Sequence, residues 1–292
     1  MLLDREFLKT LEQVELLCRS DLAGGAGAHV RPFTYGAGLE FADYRHYSSG
    51  EDFRYLDWNA YLRLGKLFLK VYAAEQNIRV YLLLDCSASM DCEEGEESKL
   101  QYSKRLAATF AYLALLRLDT TVLVPFAESI QTPRIVSGGR NHFWPVLEYL
   151  ETLTARGRTD LRRSVQAFLQ RFPTRGTVIL ISDFFDDTGC QSALEMLRSA
   201  GHDFVLVQVH SAREQRPQSS GQFRLEEAET GEQRLITLSP ESSEAYERDF
   251  LQWSNDLQRL ALRQGGRYAR AVTSIPYQEF VLRSLQGNRV VA

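Results

Sequence analysis

From residue 78 onward, short apolar runs alternate with amphipathic segments, and this alternation constrains the fold more than any other feature. Runs rich in Val, Ile and Leu are typical of strands buried on both faces, and they cover 78–84, 120–126, 177–182 and 204–209, while a last strand is predicted at 267–272. Helical spacing is found after Ser98, at 141–153, 160–171 and 189–200, from Pro240 to about residue 264, and at 276–285. Strands separated by helices connect as right-handed crossovers. The sequence therefore predicts an α/β fold, a mostly parallel sheet flanked by helices on both faces.

Three segments are predicted along the chain. Residues 1–28 combine an amphipathic helix with a Gly-rich joint, and residues 29–77 are rich in aromatic and charged side chains and predict a small β-rich subdomain. Residues 78–292 form the α/β domain, with a polar loop or hairpin at about 211–238.

Composition excludes several classes of protein. The chain has 292 residues, of which 44% are hydrophobic and 25% charged, as in soluble globular proteins. Its net charge of −4 gives no basic surface for nucleic acid. The longest apolar stretch, Leu106–Leu116, is too short to span a bilayer, and residues 1–17 lack the pattern of a signal peptide. We therefore expect a cytoplasmic protein that does not span a membrane.

A carboxylate and two hydroxyls follow the first strand of the α/β domain. Asp85, Ser87 and Ser89 lie where the strand 78–84 ends. Ligands of open α/β sheets bind at the carboxyl ends of the strands, and a roughly extended loop would point these three side chains to one side. Oxygen ligands of this kind suit Mg²⁺. The alternative is that they are ordinary turn and helix-cap residues.

Two further residues are predicted at the same edge of the sheet. Asp183 directly follows the strand 177–182, and Thr159 precedes the helix 160–171. The alternative for Asp183 is a solvated acidic turn, and for Thr159 it is a helix cap. The Asp85-x-Ser87-x-Ser89 segment, Thr159 and Asp183 occur in this order along the chain, and their joint occurrence favours a metal site.

The order Asp-x-Ser-x-Ser, then Thr, then Asp resembles the metal-ion-dependent adhesion site of von Willebrand factor A domains. The resemblance covers about residues 78–210 and implies a von Willebrand factor A-like (Rossmann-like) fold with one bound Mg²⁺ or Mn²⁺. It assigns the metal ligands to Asp85, Ser87, Ser89, Thr159 and Asp183. The two serines would bind the ion directly, and the other three directly or through water. A carboxylate of a partner protein would complete the coordination.

Motifs outside this segment are similar to those of the bacterial "domain of unknown function 58" family. They lie at Gly36–Phe41, Arg45–Trp58, Arg63, Lys70–Glu75 and Leu225–Glu232. The resemblance implies partnership with a MoxR-type AAA+ ATPase. In such pairs the A-type domain is an adaptor in the assembly or activation of a client protein complex.

Three functions remain open from the sequence. The favoured one is a non-enzymatic, metal-dependent interaction module without catalytic residues. A Mg²⁺-dependent phosphohydrolase with Asp85 as nucleophile is weaker, because Ser87 stands where a second carboxylate would act as acid and base. The third is a scaffold whose metal only stabilises the fold.

Overall fold

A computed structural model describes residues 2–4, 6–13, 33–35, 40–48, 56–73, 78–91, 93–94, 97–186, 189–217, 221–229 and 231–286. The chain divides into two compact units. One consists of Met1–Glu12 together with Ile78–Ala292, and the other of Gln13–Asn77. The Gly-rich joint expected within 1–28 lies outside the described residues.

The first helical residues are 6–13 (α1), and all of them except Gln13 belong to the larger unit. The described part of the smaller unit contains β1 (Phe33–Tyr35), β2 (Glu40–His46), α2 (Trp58–Leu64) and β3 (Phe68–Ala73). Its strands form an antiparallel sheet in the order β1-β3-β2. Helix α2 begins where the Asp57 carboxylate accepts hydrogen bonds from the N–H groups of Asn59 and Ala60. The predicted β-rich subdomain thus contains a sheet, and α2 is a helix that the sequence pattern did not predict.

The larger unit is built on a six-stranded sheet in the order β13-β10-β9-β4-β7-β8. Its strands are β4 (Arg79–Asp85), β7 (Thr120–Phe126), β8 (Arg134–Val136), β9 (Thr177–Ser182), β10 (Asp203–His210) and β13 (Arg267–Val272). Neighbouring strands pair in parallel except β8, which is antiparallel to β7. Two antiparallel ribbons lie outside this sheet: β5 (Glu93–Glu94) with β6 (Glu97–Ser98), and β11 (Gly221–Glu226) with β12 (Gln233–Leu238).

Helices cover both faces of the six-stranded sheet. They are α3 (Lys99–Leu116), α4 (Trp144–Thr152), α5 (Leu161–Arg171), α6 (Cys190–Ser199), α7 (Ala212–Gln215), α8 (Pro240–Arg263) and α9 (Tyr277–Gln286). Tyr81 and Leu83 of β4 pack in one core cluster with Phe168 of α5, Leu194 of α6 and Leu257 of α8. Helix α3 packs with α4 and α9 on the other face, against the intervening residues of β4. The predicted α/β fold with a mostly parallel sheet is therefore confirmed.

The strand order places a topological switch point between β4 and β9. From β4 the chain continues through β7 to β8 on one side, whereas β9, β10 and β13 build the sheet on the other. In sheets of this kind a crevice opens outside the carboxyl ends of the two strands at the switch point. Asp85 ends β4 and Asp183 follows β9, so both lie at this crevice. Among the described helices, none is long and apolar enough to cross a membrane.

Candidate metal centre

The chain leaves β4 in a tight turn that brings two hydroxyls together. The N–H of Ser87 donates to Oδ1 of Asp85 at 2.9 Å, and a short 3-10 helix, Ala88–Asp91, follows. The expectation of an extended loop is therefore wrong, because the Asp85 carboxylate draws the backbone two residues onward into a turn. The Oγ atoms of Ser87 and Ser89 nevertheless lie 3.1 Å apart.

Asp183 joins these serines from the neighbouring strand. The hydroxyl of Ser89 donates to Oδ2 of Asp183 at 2.8 Å, and the N–H of Phe185 donates to Oδ1 at 3.2 Å. Asp183 is only 1% exposed, so it is not part of a solvated acidic turn. Ser87, Ser89 and Asp183 thus form one hydrogen-bonded chain across the switch point.

Asp85 is completely buried beside this chain. The hydroxyl of Ser182 donates to Oδ2 of Asp85 at 2.6 Å. Burial and, to a lesser extent, the charge of Asp183 raise the pKa of Asp85 to about 7, against the lowering effect of hydrogen bonds from Ser182 and Ser87. Among the described residues, hydrogen-bond donors stabilise the anionic form of Asp85, and no Lys or Arg forms an ion pair with it.

A lysine that the sequence reasoning missed is buried against Asp183. Lys99, the first residue of α3, is 1% exposed, and its Nζ lies 2.8 Å from Oδ2 of Asp183 and 2.5 Å from Oε1 of Glu214. Burial alone would lower the pKa of Lys99, but the charges of Asp183 and Glu214 outweigh it and raise the pKa above its usual range. The ring of Phe185 lies 5.4 Å from the ammonium. The buried carboxylate of Asp183 is thus paired with a fixed cation.

Glu214 is held in position by the start of α7. The N–H of Ser211 donates to its Oε2 at 2.8 Å, while the N–H of Glu214 donates to Oγ of Ser211 at 3.1 Å, which completes a capping box. One oxygen of Glu214 therefore caps the helix and the other binds Lys99.

Backbone hydrogen bonds attach the loop before α5 to the turn after β4. The N–H of Arg156 donates to the carbonyl of Cys86 at 2.8 Å, and the N–H of Ala88 donates to the carbonyl of Gly157 at 2.9 Å. Gly157 has a φ of 81°, a left-handed conformation that glycine adopts without strain. These contacts bring Thr159 to the edge of the sheet that carries the serines.

The side chain of Thr159 binds a carboxylate of the β11–β12 hairpin. Its Oγ1 donates to Oε1 of Glu229 at 2.8 Å, and its N–H lies 3.2 Å from Oε2. Helix α5 is capped by Asp160, whose Oδ1 accepts from the N–H of Arg163 at 2.8 Å. The alternative that Thr159 caps this helix is therefore wrong.

The side chains at this edge fit a hard divalent cation. The predicted ligands supply carboxylate and hydroxyl oxygens, which Mg²⁺ and Mn²⁺ prefer. Asp183 already pairs with a cationic group, and buried Asp85 has none of its own. In the part of the chain that the structure describes, no group of three or more His, Cys, Asp or Glu residues could hold a metal. A metal at this edge would therefore depend on the hydroxyls as well as the carboxylates.

The family model described as "Protein of unknown function DUF58" matches residues 43–255. The chain belongs to this family. Curated relatives of this DUF58 protein include uncharacterised proteins of Mycobacterium tuberculosis and Mycobacterium bovis. Each is 24% identical over 242 residues, an alignment that covers 81% of this chain and 75% of the relative.

The DUF58 protein is also similar to solved structures. The conserved hypothetical protein BatB from Bacteroides thetaiotaomicron is 18% identical with a TM-score of 0.45, over 72% of this chain and 98% of that chain. The VWA domain of SpRpn10 is 12% identical with a TM-score of 0.40, over 74% of this chain and 99% of that chain. The likeness to these two structures extends to the fold only.

In the DUF58 protein, four of the five predicted ligands meet around the switch point, and they are Asp85, Ser87, Ser89 and Asp183. Thr159 reaches the same edge, but its hydroxyl donates to Glu229 rather than to these four. The residues that were predicted from their order in the sequence thus lie at one edge of the sheet.

The sequence reasoning missed four residues around the predicted ligands. Ser182, Lys99 and Glu229 contact the ligands directly, and Glu214 contacts Lys99. Ser211-x-x-Glu214 has the spacing of a capping box, and Glu229 lies in the motif at Leu225–Glu232, but neither pattern indicates a contact with the site. Lys99 carries the weak signal of a positive charge at the start of a helix, where the helix dipole disfavours it. Nearby anions compensate the positive charge of Lys99 at this position.

Proposed function

We propose that this DUF58 protein is a non-enzymatic interaction module that binds one Mg²⁺ or Mn²⁺ and recognises a carboxylate of a protein partner. The ion is held by five residues: Asp85, Ser87, Ser89, Thr159 and Asp183. The family resemblance implies that the partner is a MoxR-type AAA+ ATPase. The protein would then act as its adaptor or co-chaperone in the assembly or activation of a client complex.

The observation that carries this proposal is the hydrogen-bonded chain of Ser87, Ser89 and Asp183 beside buried Asp85. It lies outside the carboxyl ends of β4 and β9, where open α/β sheets bind ligands. A divalent cation there would supply the positive charge that Asp85 lacks. It would also leave an electrophilic position for an incoming carboxylate.

Burial of Asp85 argues against the phosphohydrolase alternative. Its Oδ1 accepts from the N–H of Ser87 and its Oδ2 from the hydroxyl of Ser182, and the residue is 0% exposed. A nucleophilic carboxylate needs a free oxygen within reach of the substrate. The geometry therefore supports a structural role for Asp85, which would contact the ion through water.

An affinity capture experiment tests the proposal in lysate of the source organism. The wild-type protein is compared in Mg²⁺ and in EDTA, with Asp85→Ala in Mg²⁺ as the site variant. Asp203→Asn is the matched control, because Asp203 is an exposed carboxylate at the opposite, amino end of β10. We expect wild type and Asp203→Asn to retain an AAA+ ATPase in Mg²⁺, and the EDTA and Asp85→Ala samples to lose it.

The other outcomes separate the alternatives. Retention of the same ATPase in every sample would place its contact away from the metal and refute metal-dependent recognition. Loss of thermal stability without loss of ATPase binding in Asp183→Asn would favour the scaffold.

A further inference from the structure

The β11–β12 hairpin reaches the candidate metal centre through one acidic side chain. Both strands are largely exposed, with Leu225 at 52% and Leu235 at 71%. Glu229, in contrast, is half-buried and binds both the hydroxyl and the N–H of Thr159, 70 residues away. The hairpin is thus attached to the sheet edge at a predicted metal ligand.

The turn of the hairpin is shaped to present this side chain. The N–H of Glu227 donates to the carbonyl of Glu232 at 2.9 Å, and the N–H of Gly231 donates to the carbonyl of Glu227 at 2.8 Å. Gly231 has a φ of 72°, which suits glycine in a tight turn. The backbone therefore holds Glu229 at the tip rather than leaving it on a loose loop.

The carboxylate of Glu229 adds to negative charge that is already present at this edge. Asp85 and Asp183 are buried there already, and Lys99 is shared between Asp183 and Glu214. An additional anion is stabilised in such surroundings when a cation of higher charge lies among the carboxylates.

We propose that Glu229 is an intramolecular carboxylate ligand of the metal, supplied by the hairpin of the same chain. This inference rests on the proposed metal site. It adds a sixth residue to the site and defines the class of competing ligand: an acidic side chain of a partner binds where Glu229 binds, so the hairpin must leave first.

Metal binding by the full chain tests this assignment, with Mn²⁺ as the probe. Glu229→Gln keeps the shape of the side chain and removes its charge. Glu232→Gln is the matched control, because Glu232 lies in the same turn but pairs with Arg234 at 3.0 Å. Asp183→Asn is the control for the site itself. Both hairpin variants should fold normally, since the altered residues lie on a largely exposed ribbon.

We expect Glu229→Gln to bind Mn²⁺ about 10- to 100-fold more weakly by calorimetry, and Glu232→Gln to match wild type. Water proton relaxation per bound Mn²⁺ should rise in Glu229→Gln, because a water molecule takes the vacated position. Hydrogen exchange of residues 221–238 should slow when Mn²⁺ is added to wild type, but not to Glu229→Gln.

The two proposals fail in different ways. If wild type binds no Mn²⁺, or Asp183→Asn binds it as tightly as wild type, the proposed metal site is wrong. If Asp183→Asn loses Mn²⁺ while Glu229→Gln binds it with unchanged affinity, relaxation and hairpin exchange, only the role of Glu229 is refuted.

Discussion

Replacing Lys99 by Met would remove the fixed cation of the site while keeping a side chain of similar length. Lys99 is 1% exposed, and its ammonium lies 2.8 Å from Asp183 and 2.5 Å from Glu214. Asp183 is equally buried, so its carboxylate would keep the hydrogen bonds from Ser89 and Phe185 but lose its cationic partner. Breaking a buried ion pair in this way costs about 3–5 kcal/mol. We expect the free energy of unfolding of Lys99→Met in EDTA to fall by about that amount.

Urea denaturation in EDTA measures this loss, and a double-mutant cycle assigns it to the pair. Asp183→Asn removes the charge that Lys99 compensates, so the double variant should be less destabilised than the sum of the single variants by roughly 1–3 kcal/mol. If the free energy of unfolding of Lys99→Met lies within about 1 kcal/mol of the wild-type value, the reasoning on the buried ion pair is wrong.

The same variant connects stability to metal binding. A divalent cation would replace the lost charge, so Lys99→Met should bind Mg²⁺ more tightly than wild type and gain more stability from the same Mg²⁺ concentration. At 100 times its own Kd, a variant gains about 2.7 kcal/mol. Lys104→Met is the matched control. Lys104 is another buried lysine of α3, but its ammonium donates to the carbonyl of Leu153 at 2.6 Å. Lys104→Met should lose stability, but Mg²⁺ should stabilise it no more than it stabilises wild type. An equal gain of stability from Mg²⁺ in Lys99→Met and Lys104→Met would contradict the argument.

Three further predictions concern pH and packing. The pKa of Asp85 is raised to about 7, so in EDTA the native state holds a proton that the unfolded chain has released above about pH 4. The free energy of unfolding should therefore fall between about pH 4 and 7, by at most about 1.4 kcal/mol per pH unit. The free energy of unfolding of Asp85→Asn should fall less steeply with pH, and equal pH dependence in the two proteins would refute this. Gly266→Ala should cost about 1–3 kcal/mol in urea, because its Cβ would lie 2.1 Å from Phe204, and wild-type stability would show that this contact relaxes freely. Phe168→Ala, at 0% exposure in the core cluster, should cost about 3–5 kcal/mol, and a loss below about 1 kcal/mol would mean that the core repacks around the cavity.

The sequence predicted that Asp85 and Asp183 lie at one edge of the sheet because both follow apolar strands. The runs that end at Asp85 and before Asp183 are buried on both faces, and parallel strands place their carboxyl ends at one edge. Strand β8 was missed, since three residues are too few to show a periodic pattern. Helix α2 was missed because Leu62 and Leu64 are exposed, so its apolar residues do not form a buried stripe.

The residues that surround the ligands could not be predicted in the same way. Lys99 meets Asp183 across 84 positions and Glu214 across 115, while Glu229 meets Thr159 across 70. No local period connects residues so far apart, and each pairing depends on how loops are placed by the finished sheet. Thr159 and Asp160 illustrate the limit: both are suitable N-caps, and only the backbone geometry makes the second one the cap of α5.

The way each carboxylate is attached to the fold decides which one a carboxylate of a partner protein can displace. Asp85 and Asp183 are fixed to the ends of β4 and β9, and Glu214 is fixed by the capping box of α7. Moving any of these three would disrupt the sheet edge or a helix start. Glu229 is held by an exposed ribbon and can be solvated as soon as it leaves Thr159, so its release costs the least. A partner carboxylate therefore needs to compete with Glu229 alone, and at a Mn²⁺ concentration that saturates both proteins the affinity of that partner should be higher for Glu229→Gln than for wild type.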